Sequence, residues 1–365
     1  CYKGFYSYVE NSDVKEDGEP YQFPIMNDRL TTVEAYNFKK IPGSPIAYWV
    51  SEKFINTFHD IPSLSSAAKT LAGMQTGDND LLTRYWFEVE AINTAFNCES
   101  REDAINSGCK WFPYNKGGYF KKWFGNQDYV VNWENDGEFL KQKKSRDLAN
   151  GKITANNSKC WNQNNYFTKG ITWSKVSSGI PAFRYQSFGS IFDIAGVTLF
   201  PFDDDDIPLL LGVLNSNYSQ YALKMLSPTL NFETSTVAKV PILTDDNYFR
   251  QSISGHVRNL LEISKLDYSQ KEDTRYFLQS PLITKVGISK LQEIVKTYVE
   301  ISINIAGNVK KIEESINVLV INAYGLDSEF KCEVPIEQIS LNCNPYFKSK
   351  KNETAAIESF ISQVV

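Results

Sequence analysis

The stretch Gly108–Trp123 reads Gly-Cys-Lys-Trp-Phe-Pro-Tyr-Asn-Lys-Gly-Gly-Tyr-Phe-Lys-Lys-Trp and interleaves four lysines with six aromatic residues. It contains no acidic residue, so its local charge is +4 in a chain whose net charge is −5. Cations that neutralise phosphates beside flat rings are typical of a nucleic-acid surface, and the pair Gly117-Gly118 permits a sharp turn or a close approach to a partner. The pattern also fits a β-hairpin whose rings fill a core while its lysines are solvated. The stretch alone leaves both interpretations open.

The composition is that of an ordinary globular protein. The chain has 365 residues, 42% of them hydrophobic and 22% charged, which predicts about two or three domains and enough apolar material for a core. A sequence pI near 5.4 argues against a histone-like DNA binder. It leaves room for a basic cleft on an acidic body, because the local field steers a polyanion.

Cysteine and histidine usage predicts a reduced cytoplasmic protein without a metal site. The six cysteines lie far apart and form no Cys-x-x-Cys pair, and neither His59 nor His256 has a second ligand nearby in the sequence. No signal peptide or apolar run of about 18 residues is present, so no membrane insertion is predicted. The chain begins at Cys1 without an initiator Met, which is typical of a fragment of a longer protein.

Residues 46–245 have a mixed strand and helix texture. Tyr129–Trp133, Ile171–Ser174 and Ala182–Tyr185 are predicted strands, whereas Ile207–Leu226 has helical periodicity. Ser51 is predicted to cap a short helix that extends through Phe58. We therefore predict an α/β domain of the α+β kind for residues 46–245, preceded over residues 1–45 by a connector from an upstream domain.

The clearest periodicity lies in the last third of the chain. Leu291, Tyr298, Ile305, Ile312 and Leu319 recur every seven residues, and a second apolar row contains Val295, Val309, Ile316 and Ala323, with Ser302 as its polar exception. This heptad pattern predicts a helix of about 50 Å that ends at Gly325. Such a helix must pack either against an antiparallel partner, for which the helix around Phe249 is the candidate, or against another domain. We predict a helical spacer for residues 246–330 and a tail for residues 331–365.

Several stretches, taken in order, resemble one family. They are Pro45–Ser51, Gly73–Asp80 with Trp86, Lys110–Gly118, Pro228–Phe232, Ile263–Tyr268, Glu313–Asn317 and Ala323–Leu326. Together they resemble the PglX-type proteins, the adenine-specific DNA methyltransferases of BREX phage-defence systems, over roughly residues 45 to 340.

The resemblance implies that methyl transfer and target recognition are carried out by different parts of the parent protein. In such proteins an upstream domain holds S-adenosylmethionine and the catalytic turn, and the part resembled here is a target-recognition domain similar to those of type I specificity subunits, followed by a helical spacer. An Asp/Asn-Pro-Pro-Tyr/Phe turn is absent from this sequence, since Asn344-Pro345-Tyr346 lacks the second proline. A Phe-x-Gly-x-Gly loop is absent too, since Phe188-Gly189-Ser190 lacks the second glycine. No catalytic residue and no cofactor is therefore predicted in this chain, and S-adenosylmethionine is implied for the parent protein.

The resemblance favours binding of double-stranded DNA. Lysines and Arg146 are expected to contact phosphates, and amides and Arg184 to read bases. The predicted DNA-binding residues are Lys110, Asn115, Lys116, Gly117, Gly118, Lys121, Lys122, Lys141, Lys143, Lys144, Arg146, Asn162, Gln163, Arg184 and Gln186. The alternative is a protein-interaction module, in which the long helix and the aromatic surface dock other defence-system subunits and DNA binding is incidental.

Overall fold

The structure is a computed structural model, and it describes residues 3–7, 9–25, 30–152, 159–177, 179–227, 229–283, 290–349 and 353–364. Short strands occupy the first 201 residues. They are β1 Lys3–Ser7, β2 Leu30–Glu34, β3 Ala68–Leu71, β4 Met74–Gln75, β5 Thr83–Tyr85, β6 Trp111–Asn115, β7 Tyr129–Asn132, β8 Lys159–Cys160, β9 Gly170–Trp173, β10 Phe183–Gln186, β11 Ile191–Phe192 and β12 Thr198–Pro201.

The described strands form two four-stranded sheets and two small ladders. Sheet one has the order β10-β9-β12-β3, with every neighbouring pair antiparallel. Sheet two has the order β11-β6-β7-β5 and is antiparallel except for its parallel pair β11 and β6. The ladders are β1-β2 and β4-β8.

Helices flank the sheets and dominate the chain after residue 206. They are α1 Ala35–Phe38, α2 Glu52–Asp60, α3 Asn79–Leu82, α4 Arg101–Asn106, α5 Glu134–Ala149, α6 Ile207–Leu214, α7 Asn217–Leu226, α8 Thr234–Val237, α9 Asn247–Ser269, α10 Leu291–Ala323 and α11 Glu353–Val364. The Oγ atom of Ser51 accepts a hydrogen bond from the backbone N–H of Phe54 at 3.1 Å, which confirms the predicted cap of α2. The predicted mixed α and β content is thus confirmed, whereas similarity to a specificity subunit stays a prediction.

Helix α10 confirms the long helix that the heptads predict. Its 33 residues correspond to about 50 Å. It ends at a glycine with φ +68°, Gly325, whose N–H donates to the carbonyl of Asn322. The N–H of Leu326 donates to the carbonyl of Ile321, and this pair of bonds forms a Schellman motif.

The buried face of α10 differs from the predicted one. The row of Val295, Ser302, Val309 and Ile316 is buried as the heptads predict. The second buried row contains Val299, Ala306, Glu313 and Val320, whereas Leu291 is 57% exposed. Ile312 of the Leu291 row is buried too, so α10 turns a broader face inward than the heptads predict, and this face includes the carboxylate of Glu313.

The largest core cluster joins sheet one to the helices. It contains the interior of α6, whose residues Leu209, Leu210 and Leu211 are fully buried, together with residues of α9 and α10. A Cβ atom on Gly212 of α6 would lie 2.5 Å from Ile253 of α9, so glycine allows these two helices to approach closely. Because the cluster runs from Ile41 to Cys343, the helices after residue 246 share a core with the strands before it. The division at residue 245 and the antiparallel spacer stay predictions.

A smaller core cluster lies on sheet two. It includes Phe112 and Tyr114 of β6, Val131 of β7 and Phe192 of β11. A third cluster packs Phe360 of α11 against Val295 and Val299 of α10. The aromatic residues of the stretch 108–123 therefore serve the core in part, as the hairpin interpretation expects.

Glu313 is a buried carboxylate of α10 that binds the chain near residue 122. Its Oε2 atom accepts a hydrogen bond from Lys122 Nζ at 2.7 Å, and its Oε1 atom accepts one from Trp123 Nε1 at 2.8 Å. The side chains of the ion pair are 2% and 4% exposed. The two buried charges neutralise each other and are hydrogen-bonded, so removal of either side chain leaves the other charge buried without a counter-charge.

We predict that Glu313→Ala destabilises the protein by about 3–5 kcal/mol, because the Lys122 ammonium then stays buried without its counter-charge. The free energy of unfolding would be measured by denaturant titration with a tryptophan signal.

The matched control is Lys15→Ala, which removes an exposed ion pair with Glu19 whose charged atoms lie 3.8 Å apart. This change should cost at most about 1 kcal/mol. Combining Lys122→Met with Glu313→Leu should recover most of the lost stability. An unchanged unfolding midpoint for Glu313→Ala would contradict the structural role of the pair.

Candidate nucleic-acid interface

The segment 116–128, called the basic loop below, connects β6 to β7 and has an unusual backbone. Gly117 and Gly118 have φ values of +80° and +130°, and Trp123 and Asn126 also have positive φ. A Cβ atom on Gly118 would lie 2.8 Å from Asn126 Nδ2, so only glycine fits at this position without displacement. The predicted sharp turn at the two glycines is present. It folds the loop back on itself, with the Asn126 amide donating to the carbonyl of Tyr119 at 2.8 Å.

Two lysines of the basic loop point into the protein. Lys121 is 6% exposed, and its Nζ atom donates to Asn342 Oδ1 at 2.8 Å and lies 3.6 Å from Asp267 Oδ2. Burial lowers the pKa of Lys121, and Asp267 opposes that shift. Lys122 is held by Glu313 as described. The sequence predicts phosphate contacts for both lysines. In the structure such contacts would require the loop to rearrange. DNA contact by Lys121 and Lys122 therefore stays a prediction, and the proposed interface does not include them.

Arg184 of β10 is buried as well. It is 1% exposed, and Nη1 makes long hydrogen bonds of 3.3 and 3.4 Å to the carbonyls of Lys121 and Ala182. Its Nε and Nη2 atoms have no partner among the described residues. Burial lowers the pKa of this guanidinium to about 10, and the nearby carboxylate of Asp128 opposes the shift. Arg184 is therefore a buried cation beneath the loop and cannot read a base edge in this conformation.

The predicted base-reading amides Asn115 and Gln186 meet where the two sheets join. Asn115 Nδ2 donates to Thr172 Oγ1, to Gln186 Oε1 at 3.0 Å and to the carbonyl of Gly196 at 3.2 Å. Its Oδ1 atom accepts the N–H of Gly117 at 3.2 Å. Asn115 thus joins β6 of sheet two to β9 and β10 of sheet one, and its hydrogen-bonding groups are used within the protein.

A small polar cleft, called the amide cleft below, opens above this junction. The residues that define it are Asn115, Asn126, Gln127, Tyr129, Tyr185 and Gln186. The amides of Asn126 and Gln127 and the ring of Tyr185 lie closer to solvent than Asn115 and Gln186, which are 6% and 3% exposed. The amide cleft therefore presents hydrogen-bonding groups at its rim, on the basic loop, and not at its floor.

Cations and rings border the amide cleft. Lys116 is half-buried, and its Nζ atom lies 5.5 Å from the ring centroid of Tyr129. Burial lowers the pKa of the Lys116 ammonium, and Asp193 and Asp80 oppose the shift. Lys265 of α9 is exposed, and its Nζ atom lies 5.2 Å from the ring centroid of Tyr185. These two lysines place positive charge on either side of the cleft.

A ladder of stacked rings leads away from Lys116. Tyr129 stacks on Tyr85 with ring centroids 4.8 Å apart, and Tyr85 stacks on Phe87 at 5.3 Å. Phe87 is 57% exposed and Tyr85 is 41% exposed, so the ladder faces solvent. The hydrogen bond from Tyr129 to Tyr85 raises the pKa of Tyr129 to about 12. Exposed rings in series beside a cation are the arrangement on which bases stack in proteins that bind single strands.

The ladder ends at a second, larger cleft. This aromatic cleft has a volume of about 510 Å³ and is lined by Trp86, Phe96, Asn97, Glu99, Ser187, Phe188, Arg275 and Tyr276. Trp86 meets Phe87 of the ladder edge to face at 5.8 Å. The clefts also share a contact, because Gln127 of the amide cleft accepts hydrogen bonds from Arg275 Nη2 at 3.1 Å and from the hydroxyl of Tyr276 at 2.6 Å.

The other predicted residues lie outside the lining of both clefts. Lys110 is exposed beside the ring of Trp111, and Arg146 is exposed on α5. Lys141 and Lys143, also on α5, pair with Asp136 and with Asp147 and Asp78. Asn162 Nδ2 donates to the carbonyl of Ala72, and Gln163 Nε2 donates to that of Cys160. The side chain of Lys144 lies outside the described residues.

Several residues at these clefts were absent from the sequence prediction. They are Tyr85, Trp86, Phe87, Asn126, Gln127, Tyr129, Lys265 and Arg275. The aromatic run at 85–87 is visible in the sequence, but nothing there connects it to Arg275, which lies 188 positions later. For Lys265 and Arg275, only the packing of α9 and the segment after it against the basic loop reveals the site.

The described part of the chain shows neither a metal-ligand cluster nor a helix suited to span a membrane. It contains no group of three or more His, Cys, Asp or Glu side chains able to hold a metal ion. None of its helices combines the length and apolarity needed to cross a membrane.

Comparison with known proteins supplies relatives for nearly the whole chain. No family model matches. The adenine-specific methyltransferase PglX of Lacticaseibacillus casei (strain Zhang) is 30% identical over 365 residues, a match that covers 98% of this chain and 29% of the relative. The adenine-specific methyltransferase BrxX of Escherichia coli O9:H4 (strain HS) is 34% identical over 361 residues, covering 97% of this chain and 27% of the relative.

The chain thus spans less than a third of the length of these relatives. Common descent explains why the matching stretches occur in this order along the sequence. The resemblance to PglX-type proteins that they indicated is confirmed. The chain is homologous, over nearly its entire length, to one segment of the adenine-specific methyltransferases PglX and BrxX.

Proposed function

We propose that this chain recognises a specific sequence in duplex DNA for an adenine-specific methyltransferase of a BREX phage-defence system. In this proposal the segment selects the site and holds the duplex. The methyl donor, S-adenosylmethionine, is bound by another part of the parent protein, which methylates the N6 atom of adenine. Homology to adenine-specific methyltransferases supports the reaction, and the surface of this chain supports the binding role.

The observation that carries the proposal is the joined surface of amide cleft, ring ladder and aromatic cleft. Asn126 Oδ1 and Gln127 Nε2 at the rim have no hydrogen-bond partner among the described residues and can each contact a base edge, whereas Asn126 Nδ2 and Gln127 Oε1 are used within the protein. Lys116 and Lys265 supply positive charge beside them, where phosphates would lie. The chain as a whole has a net charge of −5, so the positive charge of this surface comes from individual lysines held at this place.

The buried cations have a different part in the proposal. Lys121 and Lys122 fasten the basic loop to α9 and α10 and so hold Asn126 and Gln127 in place. Variants of these two lysines would lose stability as well as affinity. The lysines to substitute in a test of DNA binding are therefore Lys116 and Lys265, which border the amide cleft.

We predict that the combined variant Lys116→Gln and Lys265→Gln weakens binding to duplex DNA of any sequence. Each lost phosphate contact should reduce the slope of log K against log salt by about 0.9. Fluorescence anisotropy with one labelled duplex at four salt concentrations measures the slope directly.

Lys53→Gln provides the matched control, since Lys53 is an exposed lysine of α2 outside both clefts. Its slope should equal that of the parent chain. If the rim variant also keeps the parental slope and affinity, the two lysines do not contact phosphates and the proposed interface is wrong.

An assembly role is the second candidate, favoured by exposed apolar side chains along α10. Leu291, Ile301 and Val318 are 57%, 45% and 42% exposed. If the surface around Ile301 docks another subunit of the defence system, Ile301→Glu should prevent co-purification with that complex while salt-dependent DNA binding stays intact. The reverse result, loss of DNA binding in the rim variant with assembly unchanged, favours recognition of DNA.

A further inference from the structure

The aromatic cleft is built from rings that close contacts hold in place. A Cβ atom on Gly189 would lie 2.2 Å from the carbonyl oxygen of Phe96, so the turn after Phe188 presses against the segment that carries Phe96. Trp86 is held by a hydrogen bond from its Nε1 atom to the carbonyl of Asp273 at 2.9 Å. The walls come from segments far apart in sequence, yet each is fixed by a backbone contact.

Arg275 forms a flat cationic wall of the same cleft. Its guanidinium carbon lies 4.8 Å from the ring centroids of both Phe96 and Tyr276. Its Nη2 atom donates to Gln127 Oε1 at 3.1 Å and to the Tyr276 hydroxyl at 2.6 Å, whereas its Nε atom is buried without a partner among the described residues. The guanidinium plane is thereby held in position, and the buried Nε–H group has no acceptor among the described residues.

The charge of the cleft favours a ring over a phosphate. Among the residues that line the cleft, Arg275 is the one cation and Glu99 the one acid, so the lining has no net positive charge to hold a phosphate. Glu99, Asn97 and Ser187 can instead accept or donate the hydrogen bonds of a base edge. Rings that supply a stacking face, with a few polar groups at the edge, are what a nucleobase requires.

Size and position agree with this chemistry. A volume of about 510 Å³ lies within the range of small-molecule sites, which is about 300–1,000 Å³. The cleft adjoins the amide cleft through Gln127 and the ring ladder through Trp86. A base displaced from a duplex held at the amide cleft would therefore find a ring-lined cavity next to its strand.

We propose that the aromatic cleft binds a single unstacked nucleobase of the bound DNA. The residues that line this site all belong to this chain. The inference rests on the proposed function, because it assumes that DNA lies along the adjoining surface.

Three duplexes of one sequence test it. One is fully paired, one carries a single bulged adenine, and one carries a bulged abasic residue, which has the same flexibility without a ring. The chain should bind the bulged adenine on the order of tenfold more tightly than the bulged abasic residue, the effect of stacking one base on aromatic side chains.

Phe188→Ala should abolish that preference, because Phe188 is a 37% exposed ring of the cleft. Ser187→Trp, which fills the cavity, should do the same by an independent route. Phe139→Ala is the matched control, a 41% exposed ring of α5 outside both clefts, and should keep the preference. The thermal midpoint of each variant reports on its folding.

Equal affinity for the adenine and abasic bulges would overturn the inference, as would a preference that survives both cleft variants. The fully paired duplex separates the two proposals. If the chain binds the fully paired duplex in a salt-dependent manner but does not prefer the bulged adenine over the bulged abasic residue, only the base site is refuted. Absence of binding to all three duplexes refutes recognition of DNA and the base site together.

Discussion

The buried contact of Glu313 with Lys122 and Trp123 is the constraint on which the candidate surface depends. It joins two parts of the chain separated by about 190 residues and fixes the middle of the basic loop against α10. Beside it, Asp267 of α9 accepts the backbone N–H groups of Asn342 and Cys343 and lies near Lys121. With its middle fixed, the loop can hold Lys116 at one end and Gln127 at the other.

This arrangement divides the lysines of one short stretch between two tasks. The inward pair stabilises the loop, and the half-buried Lys116 lies beside rings that face solvent. A polar floor, in which Asn115 bonds across the two sheets, keeps the cleft from closing into an apolar core. Stability and recognition therefore use neighbouring residues of the same segment. A substitution in this loop affects one or the other according to which way its side chain points.

The sequence predicts those features of the fold that depend on interactions between neighbouring residues. Ser51 caps α2, Gly325 ends α10, and the long apolar repeat forms one continuous helix. Each depends on a few adjacent residues, so propensity and spacing are sufficient. The α+β class follows in the same way from alternating strand and helix texture.

The orientation of side chains toward distant partners could not be predicted. Glu313 and Asn317 belong to neither apolar row of the heptads, yet both are buried, because lysine, tryptophan and backbone groups from elsewhere in the chain satisfy them. In the same way, a run of lysines without acids looks solvated until the carboxylates of α9 and α10 are placed beside it. Clefts formed by segments that meet only in the folded chain have no signature in any single stretch.

The buried guanidinium of Arg184 has a consequence for the electrostatics of this surface. A charge enclosed by protein gathers no atmosphere of small ions, so dissolved salt screens its field less than that of a surface lysine. It gives the neighbouring strand ends a permanent positive background that persists in concentrated electrolyte. Part of the attraction for a polyanion would then escape any count of released counterions, and would show itself as residual affinity at high ionic strength.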